Sequence, residues 1–245
     1  MRVLSNAPGH YRFIEGIPAY SGGVVADGGH EVVHVTLQTG VPWRDGFAIV
    51  DAHLRAEGHE RRALCAVQLR CPEPYTFGGF DEFNGEYRSL LDAWDVCVDG
   101  RNPVARSNVA PVANPPGVQC LYAFSYVRPA PDAAGPTFVV AGSGEYDEAT
   151  GIHREGDTSA EAMRDKAAYV MRVMSARLEA LGVGWAHVNR TNVYTAHTPN
   201  GLADAVLGGM GAARSHGLHL FDARPPIVGI EFEMDVRAVR AERHI

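Results

Sequence analysis

The stretch Arg128-Pro-Ala-Pro-Asp-Ala-Ala-Gly-Pro136 carries three prolines and no apolar periodicity, and one order of elements reads on both sides of it. Before it, residues 30–38 form a β-branched strand and residues 40–42 a break. Residues 46–58 read as a helix with Phe47, Val50 and Leu54 on its inner stripe and Gly58 at the left-handed stop. A strand over 63–69, a loop over 72–79 and a helix over 80–94 follow. Residues 102–111 turn into another strand, and 118–127 is a long β run. After the prolines, residues 137–142 are a strand ending in Gly-Ser-Gly. Thr158-Ser-Ala-Glu161 is a capping box, and the helix it starts carries Met163, Ala167, Val170, Met174, Leu178 and Leu181 on one stripe, with Gly182 at its stop. The methionines on that stripe read as core. A strand over 188–195, a glycine-rich helix over 202–213 and a closing pair of strands complete the chain.

Two short alignments support a duplication. His53-Leu-Arg-Ala-Glu-Gly58 matches Arg177-Leu-Glu-Ala-Leu-Gly182, and Val104-Ala-Arg106-Ser-Asn-Val109 matches Asp222-Ala-Arg224-Pro-Pro-Ile227. The expected fold class is α+β, a tandem repeat of a unit of about 110 to 120 residues, each a mixed sheet backed by two helices. The expected division is 1–130 and 131–245.

Residues 221–239 are the stretch where chemistry concentrates. Arg224 stands before two prolines that forbid helix, an apolar run follows, and then Glu231, Glu233 and Asp235 alternate with Phe232, Met234 and Val236. An arginine at a strand mouth grips a carboxylate through two parallel hydrogen bonds, and a neighbouring acid moves a proton. The bland reading is a solvated strand face beside a surface arginine.

The composition excludes several classes. Of 245 residues 46% are apolar and 21% charged, which suits a globular core, and the net charge is −7 with no run of cations. Lys166 is the only lysine. Nucleic acid binding therefore lacks electrostatic support. No apolar stretch approaches the roughly 20 residues of a membrane span, and Met1–His10 does not read as a secretory signal. Cys65, Cys71, Cys97 and Cys120 form no close pair, so reduced thiols in a cytoplasmic protein are expected. His187, His197, His216 and His219 lack ligand spacing, so no metal is expected. Gly142-Ser-Gly-Glu145 lacks nucleophile-elbow spacing, and the glycines at 208, 209 and 211 fall within a helix rather than ahead of one.

The first half resembles the Rid superfamily of YjgF-type enamine/imine deaminases at Pro18-Ala-Tyr20-Ser21, Asn84-Gly-Glu-Tyr87 and Pro103-Val-Ala-Arg106-Ser107. The second half resembles it at Phe138-Val-Val-Ala-Gly142, Ala223-Arg224 and Phe232-Glu233-Met-Asp-Val-Arg-Ala-Val239. The resemblance implies a chorismate-mutase-like unit and a homotrimer with sites at subunit interfaces. It places the carboxylate-binding arginine on Arg224 in the second half and Arg106 in the first, and the assisting backbone donor near Gly142 and Ser143. The acid falls on Glu233, with Glu231 as fallback, and a neighbouring subunit's tyrosine falls on Tyr20. The first half has no acid in its closing strand and the second lacks the asparagine-tyrosine pair. One competent site per chain is therefore expected, centred on the second half and walled by a first half. The asymmetry, with Arg154-Glu-Gly-Asp157-Thr158-Ser159, resembles two-domain deaminases of 2-aminomuconate or 2-amino-5-chloromuconate in aromatic degradation.

The implied substrate is a small unsaturated amino-dicarboxylate, hydrolysed without metal or other cofactor. Arg106 and Arg237 are the candidates for its second carboxylate. The alternatives are a general 2-iminoacid deaminase and a non-catalytic carboxylate-binding or scaffold member of the fold.

Overall fold

The computed structural model describes residues 1–132 and 134–245; Ala133, in the expected linker, lies outside the described residues. The first half contains β1 Val3–Asn6, β2 Tyr11–Ile14, β3 Gly23–Ala26, β4 His30–Pro42, α1 Trp43–Ala56, β5 Leu64–Arg70, α2 Phe77–Ala93, β6 Ala105–Pro111 and β7 Cys120–Pro129. The second contains β8 Phe138–Gly144, β9 Tyr146–Asp147, β10 Gly151–Ile152, α3 Ala160–Ala180, β11 Arg190–Tyr194 and α4 Leu202–Gly209. It closes with β12 His219–Phe221, β13 Ala223–Arg224, β14 Glu233–Ala238 and β15 Ala241–His244.

These elements form an α+β fold around two mixed sheets. One has seven strands in the order β1-β2-β3-β8-β14-β11-β12, and the other six in the order β13-β6-β5-β7-β4-β15. The sheets face one another through Tyr11, Phe13, Val24, Ala105, Val127 and Val139, an apolar cluster drawn from both. The amphipathic stripes of α1 and α2 cover the outer face of the six-stranded sheet with Phe47, Val50, Leu54, Tyr87 and Leu91. Those of α3 and α4 cover the seven-stranded sheet with Met163, Val170, Met174, Leu178 and Val206. Four layers result, helix, sheet, sheet, helix.

Alternation along β14 decides what lies between the sheets. Phe232, Met234 and Val236 pack under α3, so Glu233, Asp235 and Arg237 turn inward toward the facing sheet, where all three are buried. Of the acids read as one strand face, Glu233 and Asp235 are thus an interior polar layer, and Glu231 lies before the strand.

Several local expectations shift. The break at 40–42 does not end a strand: β4 runs through it, its register with β7 slipping between Thr36 and Val41. The cap of α3 is Ser159, whose hydroxyl accepts from the Ala162 N–H, and Glu161 reaches toward Arg154 instead of closing a box. The glycine-rich helix stops at Gly209 and continues as a 3-10 turn, Gly211–His216. Residues 225–232, between β13 and β14, are irregular rather than strand.

The halves also exchange strands. β1–β3, from the first half, lie in the sheet of β8, β14, β11 and β12, while β13 and β15, from the second, form the two edges of the other sheet. The helices divide near residue 130; the sheets do not.

Candidate active site

Arg106 sits in β6, in parallel register with Val67 of β5, and its side chain is buried. Its guanidinium carbon lies 4.5 Å from the Tyr20 ring centroid and 4.8 Å from that of Tyr87, with Phe80 at 5.3 Å and Phe83 at 5.5 Å. Nη2 donates to Asn84 Oδ1 at 2.6 Å, whereas Nη1 is buried without a partner. No carboxylate stands within ion-pair distance among the described residues. Burial depresses the Arg106 pKa, though a guanidinium remains charged across the physiological range. A caged cation with a free N–H edge is a receptor for an anion.

Glu233 opens β14 opposite Gly144 of β8 and is 4% exposed. Burial first, and the like charge of Asp235 second, push its pKa well above the ordinary carboxylate value, against the pull of Arg106 and Arg70. Its proton is therefore held more tightly than that of an ordinary carboxyl group. Gly142 makes room for it: a Cβ there would stand 2.2 Å from Glu233 Oε1 and 3.1 Å from Ser107 Oγ. The Gly142 N–H is already engaged, donating to Ser107 Oγ at 3.1 Å.

Asp235 anchors this layer. It accepts from Ser107 Oγ at 2.8 Å, Tyr194 OH at 2.8 Å, Asn192 Nδ2 at 2.8 Å and Gln68 Nε2 at 3.3 Å. Four donors from three strands fix both the carboxylate and the hydroxyl beneath Gly142.

Tyr20, Arg106, Gly142, Ser143, Arg177 and Glu233 line one cavity of about 470 Å³. Its mouth is rimmed by exposed Ile17, Phe77 and Tyr146 and by Asp81, Asp147 and Glu148. The anion receptor comes from the first half and the acid from the second. Arg224 is not part of the lining. It lies on β13, opposite Ala110 at the edge of the six-stranded sheet, half-exposed and 3.8 Å from Glu231. Glu231 in turn meets His197 Nε2 at 3.0 Å, so these three form a cluster of their own. The prolines after Arg224 end β13 after two residues, and the chain then pairs with Tyr75 rather than running straight into β14. Arg237 is inward but is held by Glu242 at 3.0 Å.

Arg177, from the last turn of α3, was not among the expected site residues. A cation in that position reads from sequence as dipole compensation, and nothing local reports that its side chain points into a cavity. Asn84 was quoted only for its resemblance and supplies the oxygen that orients Arg106. The histidines are engaged separately: His187 with the Gly184 N–H and His219 with Arg190. Among the described residues no three His, Cys, Asp or Glu side chains group to hold a metal ion, and no helix is long and apolar enough to cross a membrane.

The family described as 2-aminomuconate deaminase CnbZ matches residues 3–243. A 2-amino-5-chloromuconate deaminase of Comamonas testosteroni is 38% identical over 241 residues, 96% of each chain. Among solved structures, a chorismatase aligns at TM-score 0.47 and 15% identity over 89% of this chain and 77% of its own. The YjgF gene product of E. coli aligns at TM-score 0.30 and 18% identity over 44% of this chain and 84% of its own. A family match across nearly the whole length, joined to that degree of identity, shows that the chain belongs to the 2-aminomuconate deaminase CnbZ family.

Proposed function

We propose that this protein hydrolytically releases ammonia from 2-aminomuconate or its 5-chloro analogue, in the cavity between Arg106 and Glu233. The observation that carries the assignment is that an uncompensated, aromatic-caged guanidinium and a buried carboxyl group, whose pKa burial raises, line one cavity. Arg106 takes the carboxylate beside the amino-bearing carbon through the edge that Asn84 leaves open, and so fixes that carbon against Glu233. Protonated Glu233 delivers its proton to the enamine carbon, giving the imine. The carboxylate it becomes removes a proton from water as the oxygen bonds to the imine carbon. The same proton passes to the amine as the C–N bond of the carbinolamine breaks, the carbinolamine hydroxyl gives its proton back to Glu233, and ammonia, a ketone and the protonated acid remain. An imine is electrophilic enough that these residues supply the proton transfers this sequence requires.

The two halves are read as copies of a Rid-type unit, supported by the matched segments around Arg106 and Arg224 and by a helix pair covering each sheet. A homotrimer would bury the apolar rim of Ile17, Phe77 and Tyr146.

Ammonia release from 2-aminomuconate tests the assignment. Arg106→Met is expected to lower kcat/KM by about three orders of magnitude, and Glu233→Gln to lower kcat by about 10²–10⁴-fold with KM nearly unchanged. Arg224→Ala is expected to stay within about threefold of wild type, since an exposed ion pair contributes little. Full activity in Arg106→Met, or its loss in Arg224→Ala, overturns the placement of the site. Full activity in Glu233→Gln overturns the acid.

A further inference from the structure

Most arginines in this protein are paired with acids. Arg61 is held by Asp51, Arg128 by Glu31, Arg154 by Asp157 and Asp165, and Arg237 by Glu242. Among the described residues the buried Arg70 and Arg106 and the half-buried Arg177 have no carboxylate in ion-pair reach. Arg70 caps its own strand through the Leu69 carbonyl and lies over Tyr122. The other two line the same cavity.

Arg177 reaches the cavity from α3 and is fastened at one nitrogen. Its Nη1 donates to the Ala141 carbonyl at 2.9 Å and points toward that of Gly142 at 3.5 Å. Its remaining N–H groups have no protein partner among the described residues. Burial depresses its pKa, with Tyr20 and Glu233 acting the other way. Glu233 lines the same cavity but forms no ion pair with either guanidinium, and burial raises its pKa. Asp81, Asp147 and Glu148 at the mouth are exposed and screened by solvent, and they leave the interior with two positive charges.

We infer that Arg177 is a specificity-determining residue that binds a second carboxylate, at the end of the substrate remote from the amino group, so that the cavity selects dianionic over monoanionic chains. A single carboxylate on Arg106 would leave a desolvated guanidinium uncompensated, which disfavours monocarboxylates as much as it favours dicarboxylates. This rests on the cavity being where the enamine is hydrolysed.

Unreactive ligands of matched shape separate the two ideas. Muconate carries a carboxylate at each end of a six-carbon diene, whereas sorbate carries one. Titration calorimetry on the intact protein is expected to show muconate binding at least about 30-fold more tightly than sorbate. Arg177→Gln keeps a donor for the Ala141 carbonyl and removes the charge. It is expected to abolish the preference for muconate while leaving sorbate affinity within about threefold. Arg177→Lys keeps the charge and is expected to retain part of the preference. With 2-aminomuconate, Arg177→Gln should raise KM by more than tenfold with kcat nearly unchanged, whereas Arg106→Met weakens both ligands. If Arg177→Gln keeps the wild-type preference, or weakens muconate and sorbate equally, the inference is overturned and the roles of Arg106 and Glu233 stand. If wild-type protein neither binds muconate nor deaminates 2-aminomuconate, the underlying reading fails.

Discussion

Glu233 and Asp235 lie two residues apart on one face of a strand, yet their surroundings give them opposite characters. Asp235 accepts four hydrogen bonds that fix its carboxylate in place. Glu233 is buried, and its nearest strong electrostatic influence is a like charge, so its proton is retained. The pH dependence follows. Glu233 must carry a proton to start the reaction, so kcat/KM should fall as pH rises through its elevated pKa. Asp235→Asn removes the like charge and should shift that alkaline limb to lower pH, with circular dichroism confirming the fold. An unmoved limb would mean that Asp235 does not set the acid. Stability has the same sign. A group whose folded pKa lies above its unfolded value contributes fully below the unfolded value, and the contribution is lost as pH rises through the folded one. Urea titrations should therefore show Glu233→Gln losing less stability than wild type over that alkaline range.

At the scale of elements, α3 does more than cover a sheet. Lys166 lies on its inner face, fully buried, with Nζ donating to Glu145 Oε1 at 3.0 Å and to the His153 carbonyl at 3.0 Å. Glu145 also accepts from the Glu231 N–H at 2.7 Å and the Phe232 N–H at 3.0 Å. One buried ion pair thus ties α3, the end of β8, the β9–β10 hairpin and the segment that delivers Glu233. Removing one partner strands a buried charge, so Lys166→Met should cost about 3–5 kcal/mol and lower Tm by roughly 10 °C. Adding Glu145→Gln to it should recover part of the loss in the same melting experiment. A Tm unchanged by Lys166→Met would show that the pair does not hold these elements. The helices themselves were legible because their stripes are local: Phe47, Val50 and Leu54, or Met163, Val170 and Met174, recur at helical spacing whatever they pack against. The alternation was equally local and separated Glu233 and Asp235 from apolar residues under α3, whereas Glu231, read with them, lies before the strand beside His197 and Arg224. Strands β1–β3 were not legible, since four-residue strands separated by turns leave little periodicity. The choice between Arg106 and Arg224 was not legible either. Both precede strand-like runs, and only the cage of Tyr20, Phe80, Phe83 and Tyr87 distinguishes them. That cage is assembled from residues far apart in sequence.

Over the whole molecule, the exchange of strands and the composition of the cavity are one fact. β3 pairs with β8 through Val24 and Val139, β13 with β6 through Arg224 and Ala110, and β15 runs parallel to β4 from Ala241 beside Val33. These pairings hold the mouth of the first half, with Tyr20 and Arg106, against Gly142, Arg177 and Glu233 of the second. A chain cut in the 128–136 segment should therefore behave unlike two domains joined by a string. Residues 1–130 alone leave β3 without β8 and β4 and β6 as open edges, and that edge exposure favours aggregation over a cooperative native state. Both pieces produced together should associate, because the cut falls where Pro131 and Asp132 are exposed, while Arg240 of the second piece still reaches Glu31 of the first at 3.2 Å. The expected result is no cooperative urea transition for residues 1–130 by themselves, and deaminase activity only when the second piece is supplied. A first piece that unfolds cooperatively on its own would show that the exchanged strands ornament a self-sufficient unit. Activity in either piece alone would show that the cavity does not need both halves.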